Sequence, residues 1–226
     1  MVKNDDFLET VVSSIRYAFS NMGSLLIGGI VLTLSLLIIG LPFFLGYMTR
    51  CIREIIRGNG VLPDWDGIGD IFVNGIRMTI IFLIYAAIYG LLAMVPAIPV
   101  LAFQYLGIGY LAWISTAIMI LTLVILSSVF GVVFFASWVI FANTGSIKVA
   151  VAPHEIVALI SKNPLGYLIA IIASASMVVL GGLSMALFVT IPWAVFIICS
   201  AISYIFAKYY QNTMNRTEYN GPQTGL

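Results

Sequence analysis

The chain has 226 residues and a net charge of +1, with 62% hydrophobic and only 8% charged residues. A soluble domain is about a quarter charged, and a chain this apolar would expose large greasy patches in water. The near-neutral balance excludes a strongly basic or acidic binding protein, so no nucleic-acid partner is expected, and two cysteines are too few for a disulfide framework, so Cys51 and Cys199 are expected as free thiols. The ten Lys and Arg and the nine Asp and Glu all fall in four windows, residues 3–16, 50–77, 148–162 and 208–218. Between them lie charge-free runs at Tyr17–Thr49, Met78–Ile147 and Asn163–Ala207. A membrane-crossing helix needs about 20 apolar residues, and lipid offers no water to satisfy loose backbone groups. The expected fold is therefore an all-α integral membrane protein: a bundle of five to six hydrophobic helices, with amphipathic interfacial helices on the cytoplasmic side, in one membrane domain over residues 1–226.

At the N-terminus, Asp5, Asp6 and Glu9 stand where a cleavable signal would carry positive charge, so none is expected. Residues 5–20 read as an interfacial helix. Phe7, Leu8, Val11, Val12, Ile15, Ala18 and Phe19 share one face, opposite Asp6, Glu9, Ser13 and Arg16. The first hydrophobic segment, 22–49, is open to two readings. It is either a hairpin turning near Gly40–Pro42, with a short re-entrant return, or one span kinked at Pro42. The amphipathic segment 50–77 follows. Arg50, Arg53, Glu54 and Arg57 recur at helical spacing, opposite Cys51, Ile52, Ile55 and Ile56. After Gly58-Asn59-Gly60, Pro63 and Asp64 read as a helix start, with Ile68, Ile71, Phe72, Gly75 and Ile76 facing away from Asp66, Asp70, Asn74 and Arg77.

Spans are expected at about 78–101 and 110–142, turning near Gln104–Gly109. A third amphipathic segment, 146–162, sets Ile156, Val157, Leu159 and Ile160 against His154, Glu155, Ser161 and Lys162. Spans at about 164–189 and 191–210 and a polar tail at 211–226 complete the chain. An amphipathic helix thus runs into an apolar hairpin three times. The first and third copies share a Gly-Gly pair (Gly28-Gly29 and Gly181-Gly182) followed by a proline (Pro42 and Pro192). If each copy is a hairpin, all ten Lys and Arg lie on one side, which the positive-inside rule makes the cytoplasm, with both termini there and the protein in the cell membrane.

The chain shows no phosphate loop, no zinc-spaced His/Cys set and no serine elbow. The expectation is a non-enzyme, with no cofactor, catalytic residue or metal site. His154 beside Glu155 reads as a solvated side chain. The spans carry no Asp, Glu, Lys, Arg or His, which argues against proton pumping and voltage sensing. The most specific feature is the 50–77 window. Its Arg50, Arg53 and Arg57 would either hold anionic lipid headgroups, at about 1 kcal/mol each, or serve as topology anchors. In Asp64-Trp65-Asp66, the acids read as helix-start caps and Trp65 as an interfacial anchor. The candidate contact residues for anionic lipid or a partner are Arg50, Arg53, Arg57, Trp65, Asp66 and Asp70. Aromatics such as Phe43, Phe44, Tyr47, Tyr105, Tyr110, Trp113, Tyr167, Trp193, Tyr209 and Tyr210 read as belts at span ends. Ala170, Ala173 and Ser174 mark close helix packing, within the bundle or in a homo-oligomer.

The segments GYMTRCIREIIRGNGVLPDWDGIGDIFVNGIR with FLIY, and FANTGSIKVAVAPHEIVALISKNPLGYLIA, resemble the multi-pass membrane family catalogued as domain of unknown function 4013, found in archaea and some bacteria. Gly46, Tyr47, Arg50, Gly58, Leu62, Pro63, Trp65, Asp66, Phe72, Gly75 and Tyr85 carry the first match, and Ala142, Asn143, Asn163 and Tyr167 the second. The resemblance implies a membrane location and no established functional residues. Two functions fit. One is a non-enzymatic component that organises lipid or a partner membrane protein at the cytoplasmic face. The other is a transporter or permease subunit for a neutral or lipid-like solute, motivated by Pro96, Pro99, Pro192 and the glycine-rich breaks.

Overall fold

The computed structural model describes residues 4–35, 40–183 and 191–219, and among these every regular element is a helix. In chain order they are α1 (Asn4–Ala18), α2 (Met22–Ser35), α3 (Gly40–Ile56), α4 (Ile68–Met94), α5 (Ala97–Tyr105), α6 (Gly109–Thr144), α7 (Ile147–Ala150), α8 (Pro153–Lys162), α9 (Pro164–Leu183) and α10 (Ile191–Tyr219). Among the described residues, four stretches are long and apolar enough to cross a membrane: Ile68–Tyr105, Gly109–Thr144, Pro164–Gly182 and Ile191–Asn215. A fifth is added if α1 and α2, which meet at an 81° bend, count as one broken span.

The chain divides into two compact units, Met1–Thr79 with Ala136–Leu226, and Ile80–Phe135. In the first, α10 is the hub and packs against α1, α2, α3 and α9. Its inward positions, among them Phe196, Ala201, Ile205, Phe206 and Ala207, are buried. Small residues let its neighbours close in. Gly28 and Gly29 of α2 lie against the rings of Phe196 and Trp193, and Gly181 of α9 lies against Ile198. Ala170, Ala173 and Ser174 are buried along α9, as their spacing suggests. The tightest approach joins α3 to the first turns of α4. A Cβ on Gly46 would fall on the carbonyl of Ile71, and one on Gly75 on the carbonyl of Pro42. Only glycine permits backbones this close.

Several sequence expectations shift. The first apolar run is two helices, α2 and α3, that pack together. Gly40–Pro42 is the first turn of α3 and not a connecting turn, because a proline's missing N–H costs nothing where helical N–H groups have no partner. Ile191 and Pro192 open α10 in the same way, and Thr190 lies outside the described residues. Pro63-Asp64 does not start a helix. Residues 61–67 are irregular, Gly67 adopts φ +61°, and α4 begins at Ile68 and runs without interruption into the expected span. The segment 146–162 is two helices, divided before Pro153. The tail expected from 211 begins as helix, since α10 continues to Tyr219.

The apolar arc of α1 is also split. Ser14, Tyr17 and Ala18 are buried, while Leu8, Val12, Ile15 and Phe19 form an exposed apolar stripe. Of the expected belt, Tyr105, Tyr110 and Trp113 are exposed, but Tyr47, Tyr167, Tyr209 and Tyr210 are buried within the first unit. A ring near the end of an apolar run is bought by the core whenever a neighbouring helix passes over it.

The second unit is a helical hairpin. Val95 and Pro96 interrupt the helix between α4 and α5. Gly107, at φ +69°, then ends α5 with a Schellman pair, Gly107 N–H to Gln104 O and Ile108 N–H to Phe103 O. Tyr85 and Tyr89 meet Phe130 and Phe134 edge-on, and the Tyr89 hydroxyl lies 2.9 Å from that of Ser127. Thr116, Thr122, Ser127 and Ser128 donate back to carbonyls of their own helix, so their hydroxyls need no water.

Candidate functional site

The helical spacing of Arg50, Arg53, Glu54 and Arg57 puts these polar groups on one side of α3, while Cys51, Ile52 and Ile55 are buried on the other. Gly58, at φ +97°, ends the helix with a second Schellman pair, Gly58 N–H to Ile55 O and Asn59 N–H to Glu54 O. Glu54 then receives the Arg57 guanidinium at 2.9 Å and the Asn59 amide.

The irregular segment that follows is held by side chains from other elements. Leu62 N–H donates to the Ser20 hydroxyl at 2.8 Å. The Pro63 carbonyl accepts from both Ser24 and Tyr47, each at 2.7 Å. Asn21 caps α2 by accepting from Ser24 N–H at 3.1 Å, while its amide donates to Leu62 O and, at 2.8 Å, to Asp64. Trp65 stacks flat on Tyr47, with ring centroids 3.9 Å apart, and its indole N–H donates to Ser24 O at 2.9 Å. The expectation of Trp65 as an interfacial anchor is thus replaced by a tether: its one polar handle is used inside the protein. Asp64 likewise does not cap α4.

Arg50 is bound to Asp66 twice, through the carboxylate and the backbone carbonyl. With Asp66 72% exposed, the ion pair itself contributes only about 0–1 kcal/mol. Arg53 donates to the carbonyl of Ala142 at 3.0 Å, satisfying the C-terminal end of α6. Partial burial, with the Arg57 charge beside it, holds the Arg53 guanidinium below the usual arginine value. A charged hydrogen bond of this kind is worth about 1.5–3 kcal/mol.

These residues enclose a cleft of about 280 Å³ lined by Arg50, Arg53, Glu54, Arg57, Asp66, Asp70 and Asn74. Five of the six candidate contact residues meet there, and Trp65 does not line it. A second cleft, of about 380 Å³, lies on the Asn21 and Asp64 side of Arg50. Sequence reasoning missed Ser20, Asn21, Ser24 and the role of Tyr47. Asn21, directly before an apolar run, is a helix-cap signal that could have been found. The others carry no local signature.

Side-chain links gather the four charged windows. Thr10 shares a cavity with Asn163 and Lys208, and Ser20 and Asn21 hold the 62–64 segment. The Asn143 amide donates to the Tyr210 hydroxyl, and the Tyr209 hydroxyl donates to Leu159 O. His154 is 79% exposed and 3.4 Å from Glu155, a solvated pair. Both cysteines are free, with Cys51 buried. Among the described residues no three His, Cys, Asp or Glu come together as metal ligands. In the second unit, a hollow of about 490 Å³ at the α5–α6 turn is lined by Phe103, Gln104, Trp113 and Thr116, with no ionisable group.

The family model described as protein of unknown function, DUF4013, matches residues 29–190. The match leaves α1, the start of α2 and all of α10 outside it. No curated protein and no solved structure matches the chain. The match takes in well over half of the chain, including every residue of the Arg50–Asp70 cleft, and the chain belongs to the DUF4013 family of proteins of unknown function.

Proposed function

We propose that this is a non-enzymatic multi-pass protein of the cell membrane that docks another membrane protein through the Arg50–Asp70 cleft. The observation that carries the reading is the cleft's mixed charge: Arg50, Arg53 and Arg57 face Glu54, Asp66 and Asp70. Each arginine already has an acceptor within the protein, so the attraction of a bare basic stripe for anionic lipid is largely offset. A protein segment, in contrast, can bring charges of both signs to such a cleft. The positive-inside rule then makes the gathered charged windows, and both termini, cytoplasmic. In this arrangement α1 lies in the interface with Leu8, Val12, Ile15 and Phe19 toward the acyl chains, and α2 and the first turns of α3 form a re-entrant pair. A carrier of neutral or lipid-like solute is the less favoured reading, because the 490 Å³ hollow opens at the hairpin turn and not midway along the helices.

The test is native mass spectrometry of the tagged full chain, extracted gently from its own membranes, beside an Asp70→Lys variant. The expected result is a stoichiometric protein partner, which a second copy of the chain would satisfy, lost in the variant. Recovery of anionic lipid alone, unchanged by Asp70→Lys, would reject docking of a protein and favour the lipid role. Transport of a solute by the purified protein in vesicles would favour the carrier.

A further inference from the structure

We infer that the first unit holds a second site, between α1, α9 and α10, that binds a phosphate-type anion at the charged end of the bundle. The site is a cavity of about 150 Å³ whose polar wall is Thr10 of α1, Asn163 before α9, and Lys208 and Asn212 of α10. Its apolar floor includes Ile169 and Ile205.

Three features assign the chemistry. First, among the described residues the wall contains a cation and amides but no carboxylate. Second, Lys208 is half-buried, and its partner among the described residues is the neutral Gln211, whose side-chain oxygen accepts at 2.9 Å. An ammonium has three protons, so two remain for a ligand. Among the described residues no acid pairs with this partly buried cation, unlike Arg50 and Arg57, which have Asp66 and Glu54. Third, Asn163 uses its oxygen to accept from Gly166 N–H at 3.0 Å, which leaves the amide N–H groups as donors. Asn212, an exposed residue of α10, lines the same cavity and brings a second amide to it. Donors from Asn163 and from Lys208 and Asn212 of α10 therefore converge on one cavity, and the matching ligand is a tetrahedral oxyanion with several acceptors. The apolar floor fits the glycerol end of a phospholipid beside its phosphodiester, while a free phosphate would use the polar wall alone. No residue of the Arg50–Asp70 cleft lines this cavity, so the site stands or falls independently of the docking proposal.

The experiment titrates the delipidated full chain with phosphatidylglycerol, phosphatidylcholine and inorganic phosphate separately, counting adducts by native mass spectrometry. One saturable phosphatidylglycerol site is expected, at least ten-fold tighter than phosphatidylcholine. Lys208→Gln and Asn212→Asp should each weaken it ten-fold or more, Lys208→Arg should retain it, and Arg57→Gln should leave it unchanged. Failure of millimolar inorganic phosphate to displace the lipid identifies a headgroup site. Lys208-dependent phosphate binding without lipid preference identifies a free-anion site, and either supports the anion chemistry. Equal binding of both lipids without phosphate binding, or phosphatidylglycerol binding that survives both Lys208→Gln and Asn212→Asp in monodisperse protein, overturns it.

Discussion

Both units contain long apolar helices, the more apolar ones in the second, but the units are held in different ways. In the first, α10 has more than half of its most apolar window buried, and polar side chains tie elements distant in sequence: Ser20 and Asn21 to Leu62, Ser24 and Tyr47 to Pro63, Arg53 to Ala142. In the second, the most apolar window of α6 is not buried at all, and the hydroxyls are satisfied by their own helix. Lipid can solvate apolar side chains on any helix, but it cannot satisfy an irregular backbone segment. Residues 61–67 need protein donors and acceptors around them, and the first unit supplies those. The hairpin, whose backbone is closed on itself, needs few.

This contrast makes graded predictions. The largest effect is expected at the α3–α4 crossing. Gly46→Ala or Gly75→Ala should abolish monodisperse folded protein in size-exclusion chromatography, because the added carbon meets backbone that cannot move aside. Gly90→Ala in the second unit, where a Cβ meets nothing within 4 Å, should be neutral or stabilise by up to about 1 kcal/mol. A folded Gly75→Ala protein of unchanged stability would remove the crossing as a determinant.

Next come the tryptophans. Trp65→Ala loses a stack and a hydrogen bond and should cost about 2–4 kcal/mol, read as a lowered thermal midpoint in detergent. Trp113→Ala, at a side chain 79% exposed, should shift the midpoint by well under half of that. Equal shifts would mean that the 61–67 segment does not depend on its tether. Among the arginines, Arg53→Met should cost about 1.5–3 kcal/mol, and Arg57→Ala less than about 1, since the latter's pair with Glu54 is exposed. The smallest difference is chemical. Cys51 should resist a maleimide in the folded protein and react only on unfolding, whereas rapid labelling of the folded form would show that the α3 core opens.

Much of the architecture is legible without coordinates, because helical period and charge-free length are properties of consecutive residues. The stripe at Arg50, Arg53 and Arg57, the break at Gly58 and the small-residue face of α9 can all be read that way. Trp65 shows where such reading ends. An indole beside two acids after an apolar run has the same local pattern whether it anchors at an interface or stacks on Tyr47. Ser24, whose backbone carbonyl accepts from the indole and whose hydroxyl holds Pro63, lies about forty residues away in sequence. The arginine stripe reads as three available charges, and the partners that occupy them, Asp66, Ala142 and Glu54, include one distant carbonyl with no side-chain signal at all.

The sequence by itself determined that the protein is helical, that its charge lies in four windows between apolar runs, and that glycine and proline punctuate those runs. Each of these follows from neighbours along the chain and from the solvent they require. Only the tertiary structure decided that the four windows meet, that the arginines face carboxylates across one cleft, and that Lys208 stands half-buried beside the neutral Gln211. Those outcomes depend on which helix passes over which side chain, and that is set by packing between residues far apart in the chain.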